Sequence, residues 1–387
     1  MDDFASHAGQ QDRPGLAGPP AQVGMSLDQV DTPALLLDLD AFEHNLDRLA
    51  RSLEGTGMRL RPHAKSHKCP EIARRQMARG AVGVCCQKVS EAEVLVAGGI
   101  PDVLVTNEIV GAAKLARLAQ LARRAQVGVC VDNAANVEAL AVAAAAAGVT
   151  LDVLVDLDVG ANRCGVAPGA PALELVRAIG RHRELRFRGI QAYQGGAQHL
   201  RTPEERRAAI DAAVARVRLT VDLLRRDGLE APLVTGAGTG TYLLEAASGV
   251  YHELQPGSYI FMDADYGANL GDDGQRVHEF RNSLFVLATV MSRPLPARAV
   301  VDAGLKAHSV DSGMPLVADT PGAAYTRVSD EHGVIDFDGP SDWELGRKIR
   351  LIPGHCDPTV NLHDWIVCTR RGTVEAVWPI LARGAFF

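Results

Sequence analysis

No excess of positive charge marks this 387-residue chain: 40 Lys and Arg stand against 47 Asp and Glu, a formal net charge of −7. That leaves no basic stripe for nucleic acid and no cationic face for anionic lipid, and it favours a small molecule as partner. An even, regular cysteine framework is missing too. The seven cysteines are scattered and include the adjacent pair Cys85 and Cys86, which fits a reducing cytoplasm better than a secreted disulfide scaffold. No apolar run is long enough for a bilayer. The longest, LAVAAAAAGV at 140–149, has about half the required length and reads as an alanine-rich helix. The first 28 residues lack the apolar stretch of a signal peptide and are rich in Gly, Pro and Gln, so a mobile tail is expected over 1–28.

What is present is an alternation of short β-rich runs with helix-period segments. The runs are MRLRPHA (58–64), VGVCC (82–86), DVLVTN (102–107), VGVCVD (127–132), LDVLVDLD (151–158), FRGIQAY (187–193), PLVTG (232–236) and SYIFMD (258–263). Alternation of this kind marks a parallel sheet, and eight repeats over about 210 residues predict an α/β fold of the (β/α)8 TIM-barrel type. Pro70, Ser90, Asn133 and Thr202 stand where helices should begin, and Gly80, Gly98, Gly148 and Gly228 where they should end. After about residue 280, β runs alternate with Gly, Pro and Asp turns and no helix of any length intervenes. The expected organisation is a tail (1–28), a first strand and lead-in helix (29–56) whose strand joins the β domain, a barrel (57–280), and a C-terminal antiparallel β domain (281–387).

Barrel chemistry gathers at the carboxyl ends of the strands. There the sequence places Lys65, Gln87 and Lys88, Asn107 and Glu108, Arg163, Gln198 and His199, the cluster TGAGTGTY (235–242), and Asp263 to Tyr266. Glycines let backbone N–H groups approach an anion, and barrels often bind phosphate after strands seven and eight. QPGSY (255–259) adds a second small turn beside the eighth run. A phosphate cradle opposite a strand-end lysine points to pyridoxal 5'-phosphate, whose aldehyde a lysine holds as a Schiff base. In RPHAKSHKCP (61–70), Lys65 is the favoured lysine, with Arg61 and His63 as groups that would lower its pKa. In PGHCDPTVNLHDW (353–365), His355 and Asp357 are two apart. On an extended segment they would share one face and one cation, of the Mn, Zn, Co or Mg type, while Cys356 faces away. His363 and Asp364 read as a structural turn.

The motifs RPHAKSHKCPEIA, GVCCQKVSEAE, RCGV, GIQAYQG, GTGTY, SGVYHELQPGSYIFMDADYG, VVDAGLKAHSVDSG and PGHCDPTVNLHDW, in this order, resemble the D-threonine aldolase family. That family is a branch of the alanine-racemase-like, fold-type III pyridoxal-phosphate enzymes and is grouped with 3-hydroxy-D-aspartate aldolase and D-serine dehydratase. The resemblance runs from about residue 30 to the end. It implies that Lys65 is the Schiff-base lysine, that Arg163 lies near the pyridine ring, and that Gln87 and Tyr193 line the cofactor. It further implies phosphate contacts from Gly238, Thr239, Gly257, Ser258 and Tyr259, a divalent metal at His355 and Asp357, and His199 as the base acting on the substrate's β-hydroxyl. The reaction implied is cleavage of a D-β-hydroxy amino acid to glycine and an aldehyde. Ala237 departs from the family's glycine, and Asp357 stands where the dehydratase branch has Cys. The alternatives are a 3-hydroxy-D-aspartate aldolase, for which neither Lys306 nor His308 can be placed beside the distal carboxylate from sequence, a D-serine dehydratase, and a non-catalytic cofactor carrier. A homodimer is one open alternative for the assembly.

Overall fold

A computed structural model describes residues 18–387. The strands are β1 (Ala34–Asp38), β2 (Arg59–Leu60), β3 (Val84–Cys86), β4 (Asp102–Glu108), β5 (Gln126–Val131), β6 (Leu151–Asp156), β7 (Leu185–Ala192), β8 (Val234–Gly236) and β9 (Glu253–Leu254). They continue with β10 (Leu284–Leu295), β11 (Arg298–Val301), β12 (Leu316–Val317), β13 (Ala323–Val328), β14 (Gly333–Phe337), β15 (Lys348–Ile352), β16 (Trp365–Arg370) and β17 (Thr373–Pro379). The helices are α1 (Leu39–Leu53), α2 (Pro70–Met77), α3 (Val89–Ala97), α4 (Ala112–Leu121), α5 (Ala134–Ala147), α6 (Ala170–Ile179), α7 (Pro203–Arg226), α8 (Tyr242–Ala247) and α9 (Cys356–Val360).

Strands β2 to β9 form one parallel eight-stranded sheet in the order β2-β9-β8-β7-β6-β5-β4-β3. The seam between β2 and β3 closes through Val82 N–H to Leu60 O (2.8 Å), Cys85 N–H to Pro62 O (2.8 Å) and a parallel bridge from His63 to Cys85. These strands therefore form a (β/α)8 barrel. Period-two alternation sorts its side chains: Cys85, Leu104, Cys130 and Leu154 form their own buried cluster, while Val84, Val103, Val129 and Val153 pack in the main core with the surrounding helices. Local chemistry sets the helix ends. Asn133 accepts from Ala135 N–H (2.8 Å) before α5, and Thr202 with Glu205 makes a capping box before α7. Gly148 ends α5 at φ 66°.

Three expectations are corrected. The eighth barrel strand is Glu253–Leu254, which pairs with β2 and β8, whereas SYIFMD (258–263) is a buried 3-10 turn and loop. Tyr259, Ile260 and Phe261 are apolar because they are core, not because they lie in a ladder. Residues 1–17 of the expected mobile tail lie outside the described residues, but residues 18–28 are pinned: Gly24 N–H bonds Val374 O (2.9 Å), Leu27 N–H bonds Gly372 O (3.2 Å), and Ala21 is buried. The β domain also contains one short helix, α9.

The second sheet runs β13-β14-β11-β10-β1-β16-β17, with β15 on β10 and β12 on β15. Strand β1 pairs antiparallel with β10 and parallel with β16, so the domain's other strands are antiparallel around one parallel pair. Among the described residues, no helix is long and apolar enough to cross a membrane.

Candidate active site

Lys65 lies in a 3-10 turn, Ala64–Ser66, directly after β2. It opens into a cavity at the carboxyl ends of the strands, lined also by His63, Gln87, Thr106, Arg163, Gln191, Tyr193, Ala237, Gly238, Thr239, Gln255, Gly257, Ser258 and Tyr266. One wall is a pair of stitched loops. Thr239 Oγ1 accepts Tyr259 N–H (3.0 Å), Gln198 Oε1 accepts Gly240 N–H (2.8 Å), and Gln198 Nε2 donates to Thr241 Oγ1 (2.8 Å). A Cβ on Gly238 would fall 2.5 Å from the Gln198 side chain, and one on Gly257 would fall 3.2 Å from His63 O. Among the described residues, the N–H groups of Gly238, Thr239, Gly257 and Ser258 have no protein acceptor. Ala237 holds the left-handed φ of 73° that its position requires.

The floor is neutral: Gln191 and Gln255 exchange two amide hydrogen bonds (3.0 and 2.9 Å), and Gln255 Nε2 also reaches Thr235 Oγ1. Gln87 Nε2 and Thr106 Oγ1 lie 2.9 and 3.0 Å from His63 Nε2. Burial first, and the Lys65 charge second, hold His63 well below its ordinary value, so it is a neutral imidazole. Arg61 is turned away from Lys65 and held by Glu253 and Asp102. The expected depression of the Lys65 pKa by these two groups is therefore corrected. Burial works to lower it, but the Asp357 carboxylate, followed by Tyr193, outweighs burial and raises it.

Asp357 reaches Lys65 from the β domain in a direct Nζ–Oδ2 ion pair. His355 caps α9 and Asp357 lies in its first turn, not on an extended segment as the spacing suggested, because Pro353 and Gly354 turn the chain before Pro358 enters the helix. His355 Nδ1 meets Asp311 Oδ2 at 2.8 Å. Among the described residues, Asp357 Oδ1 is buried and meets no hydrogen-bond partner. Among the described residues, no group of three or more His, Cys, Asp or Glu is gathered as a metal site. Cys356 is buried and its thiol pushed well up by burial, while His363 Nε2 is bonded to Ala307 O (2.7 Å).

His199 is exposed at the rim and outside the cavity lining. Its Nδ1 is 2.7 Å from Asp265 Oδ2, and its ring is 6.4 Å from that of Tyr266, which does line the cavity. Arg201 also pairs with Asp265. Burial works to raise the Asp265 pKa, yet the Arg201 and His199 hydrogen bonds hold it below the ordinary value. Tyr259 is not brought to the cavity: its phenol is core, 3.2 Å from Gln76 Nε2.

Two profiles match the chain. The family described as alanine racemase, N-terminal domain, covers residues 37–265, and a putative serine dehydratase domain covers 283–369. A D-threonine aldolase of Arthrobacter sp is 51% identical over 368 residues, 95% of this chain and 96% of that one. The chain belongs to the D-threonine aldolase and 3-hydroxy-D-aspartate aldolase family. A 3-hydroxy-D-aspartate aldolase of Paracoccus denitrificans (strain Pd 1222) is 49% identical, over 94% of this chain and 95% of that one. The crystal structure of D-threonine aldolase from Filomicrobium marinum superposes with a TM-score of 0.93 at 52% identity, covering 96% and 100% of the two chains.

Within this aldolase-family fold, several residues of the site escaped the sequence. Gln191, Gln255 and Thr106 receive no role there, and Asp263 and Tyr266 stand only among the rim residues after the eighth run. Asp263, pushed up to about 6 mainly by burial, accepts Cys356 N–H (3.0 Å) and Tyr266 N–H (2.9 Å), tying α9 to the barrel loop. Asp156, at the end of β6, is pushed up to about 8 by burial and then by Glu108, with Arg163 opposing. Carboxylates closing strands β4 and β6 were the available signal.

Proposed function

We propose that the protein is a pyridoxal 5'-phosphate- and divalent-metal-dependent aldolase that cleaves D-β-hydroxy amino acids of the D-threonine type to glycine and an aldehyde. One observation carries the reading: the strand-end lysine Lys65 and Asp357 of the HxD segment, far apart in sequence, meet in one ion pair. The cavity suits the cofactor in its donors. Gly238, Thr239, Gly257 and Ser258 offer unpaired N–H groups from loops that a Cβ at Gly238 or Gly257 would crowd. Lys65 would be the covalent tether, and Arg163, Gln87 and Tyr193, which line the same cavity, would help to hold the cofactor. The orphaned, buried Asp357 Oδ1 fits a cation, with His355 as the second donor.

When bound, pyridoxal phosphate would supply an electron sink for the carbanion at Cα, and the divalent ion, Mn or otherwise Zn, Co or Mg, would supply positive charge that lowers the pKa of a hydroxyl. The chain's own residues do the rest. His199 receives the β-hydroxyl proton at Nε2, because Asp265 holds Nδ1 as the donor side of the imidazole. As the Cα–Cβ bond breaks, the aldehyde leaves and protonation at Cα gives glycine. Of the lining residues, only Lys65 and Arg163 carry a full positive charge, which favours an uncharged β-substituent over the second carboxylate of 3-hydroxy-D-aspartate. All seven cysteines are free and six are buried, which suits a cytoplasmic setting.

The test supplies D-threonine, 3-hydroxy-D-aspartate and D-serine, with and without chelator, and measures glycine, aldehyde and keto acid. Glycine and acetaldehyde from D-threonine, lost on chelation, are expected; pyruvate from D-serine with no glycine from any substrate would overturn the aldolase reading. Lys65→Ala should abolish the visible cofactor band. Lys68 is already committed to a buried pair with Glu91 at 2.6 Å, so loss of the band only in Lys68→Ala would overturn the choice of lysine.

A further inference from the structure

We propose that Asp311 is a positioning residue for His355: it fixes the imidazole through Nδ1 and thereby aims Nε2 at the divalent ion. The inference rests on the reading of His355 and Asp357 as metal ligands. The imidazole can offer only a lone pair to a cation, so its other nitrogen must carry the proton and needs an acceptor; a ligating His commonly donates that N–H to a carboxylate.

The geometry provides that acceptor and holds it in place. His355 Nδ1 is 2.8 Å from Asp311 Oδ2. Ser309 Oγ donates to Asp311 Oδ1 (2.7 Å), and Ser312 Oγ lies 3.3 Å from Oδ2 and 3.5 Å from His355 Nδ1. The carboxylate is thus restrained on both oxygens. Its loop is stitched to the ligand helix as well. Ser309 N–H donates to Thr359 Oγ1 (3.1 Å), whose hydroxyl donates to His355 O (2.7 Å).

A purely structural role accounts poorly for this arrangement. The Asp311 side chain keeps 51% of its surface accessible and that of His355 28%, and exposed pairs of this kind contribute little to stability. Two serines holding one exposed carboxylate against one imidazole make sense when the direction of that imidazole matters.

The experiment titrates the holoenzyme with Mn²⁺ and reads the free ion by electron paramagnetic resonance, for the parent, His355→Ala, Asp311→Ala and Asp311→Asn. Melting temperature and the cofactor band are followed in parallel. Asp311→Ala should weaken Mn²⁺ binding about 10- to 100-fold, with melting and cofactor band unchanged. Asp311→Asn keeps an acceptor for Nδ1–H and should lose clearly less. If His355→Ala abolishes binding while Asp311→Ala stays within about two-fold of the parent, Asp311 does not position the ligand. If Asp311→Asn is as weak as Asp311→Ala, the carboxylate acts by charge or as a ligand, and the positioning role falls. Unchanged binding in His355→Ala would instead remove the metal reading itself, and this inference with it.

Discussion

Arg61→Met should open the barrel seam and leave the cofactor chemistry of the folded enzyme in place. Arg61 is only 4% exposed; it binds Asp102 with both terminal nitrogens (2.7 and 3.0 Å) and Glu253 through Nε (2.9 Å). Asp102 opens β4 and Glu253 opens β9, so one guanidinium clamps strands on both sides of the β2/β3 junction, where few ladder bonds exist. Gly83 makes room for it: a Cβ there would fall 2.6 Å from Arg61 Nη1. Without Arg61, the fully buried Glu253 keeps only the Thr235 hydroxyl (3.1 Å) and the half-exposed Arg59 at 3.3 Å. Stranding one partner of a buried ion pair costs about 3–5 kcal/mol, a large part of the roughly 5–15 kcal/mol that holds a domain together. In hydrogen exchange this becomes roughly a hundred- to several-thousand-fold faster exchange at the β2 and β9 amides, with the β-domain strands little affected. Adding Glu253→Gln should recover about half the loss, since the stranded charge is its main source. A penalty below about 1 kcal/mol, or faster exchange spread evenly over both sheets, would refute the clamp. A shift of the cofactor band in the folded variant would return Arg61 to the surroundings of Lys65.

Three further outcomes follow from single residues. Glu245 is buried and its carboxyl pushed up to about 7 by burial; its contribution is complete below about pH 4.5 and lost as pH rises through 7, so Glu245→Gln should exceed the parent by up to about 3 kcal/mol at pH 8 and match it near pH 4.5 in thermal melts. An equal offset at both pH values would contradict it. His67 is held down to about 4, again by burial first, so the stability it contributes is present above about pH 6.5 and lost as pH falls toward 4. His67→Asn should flatten about 3 kcal/mol of that acid-side slope, and a parallel pH curve would rule this out. Gly189 lies at φ 141°, and a Cβ would come 1.9 Å from Leu233 O; Gly189→Ala should therefore disrupt the β7–β8 pairing and abolish soluble yield, whereas a normal melt would dispose of the clash.

The barrel was legible because its signals are local: alternation, caps and glycines recur within each βα unit. The β-domain helix α9 was not, since five residues between a Pro-Gly turn and a tight loop leave no period to detect. SYIFMD reads as a strand in sequence because periodicity cannot separate a buried loop from a buried strand. In the site, the strand-end rule brought Lys65, Gln87, Arg163 and the glycine loop together correctly in space. The pairing of Lys65 with Asp357 was invisible, because 292 positions separate them and only the packing of the β domain on the barrel brings them into contact. Arg61 lies near Lys65 in sequence, yet its partners lie 41 and 192 positions away. Asp265 and Asp311 each meet a histidine, and a lone aspartate in a loop gives no sign of that.

The place of β1 has a cost measured in time during synthesis. Leu35, Leu36 and Leu37 pair with β16 as well as with β10, and 332 positions separate Leu37 from Thr369. At about 5–20 residues per second, roughly 17–66 s pass on the ribosome between making the two strands. Throughout that interval the edge of this leucine-rich strand that β16 will cover waits for a neighbour not yet made. Until β16 is made, that edge is open to a wrong partner in the nascent chain.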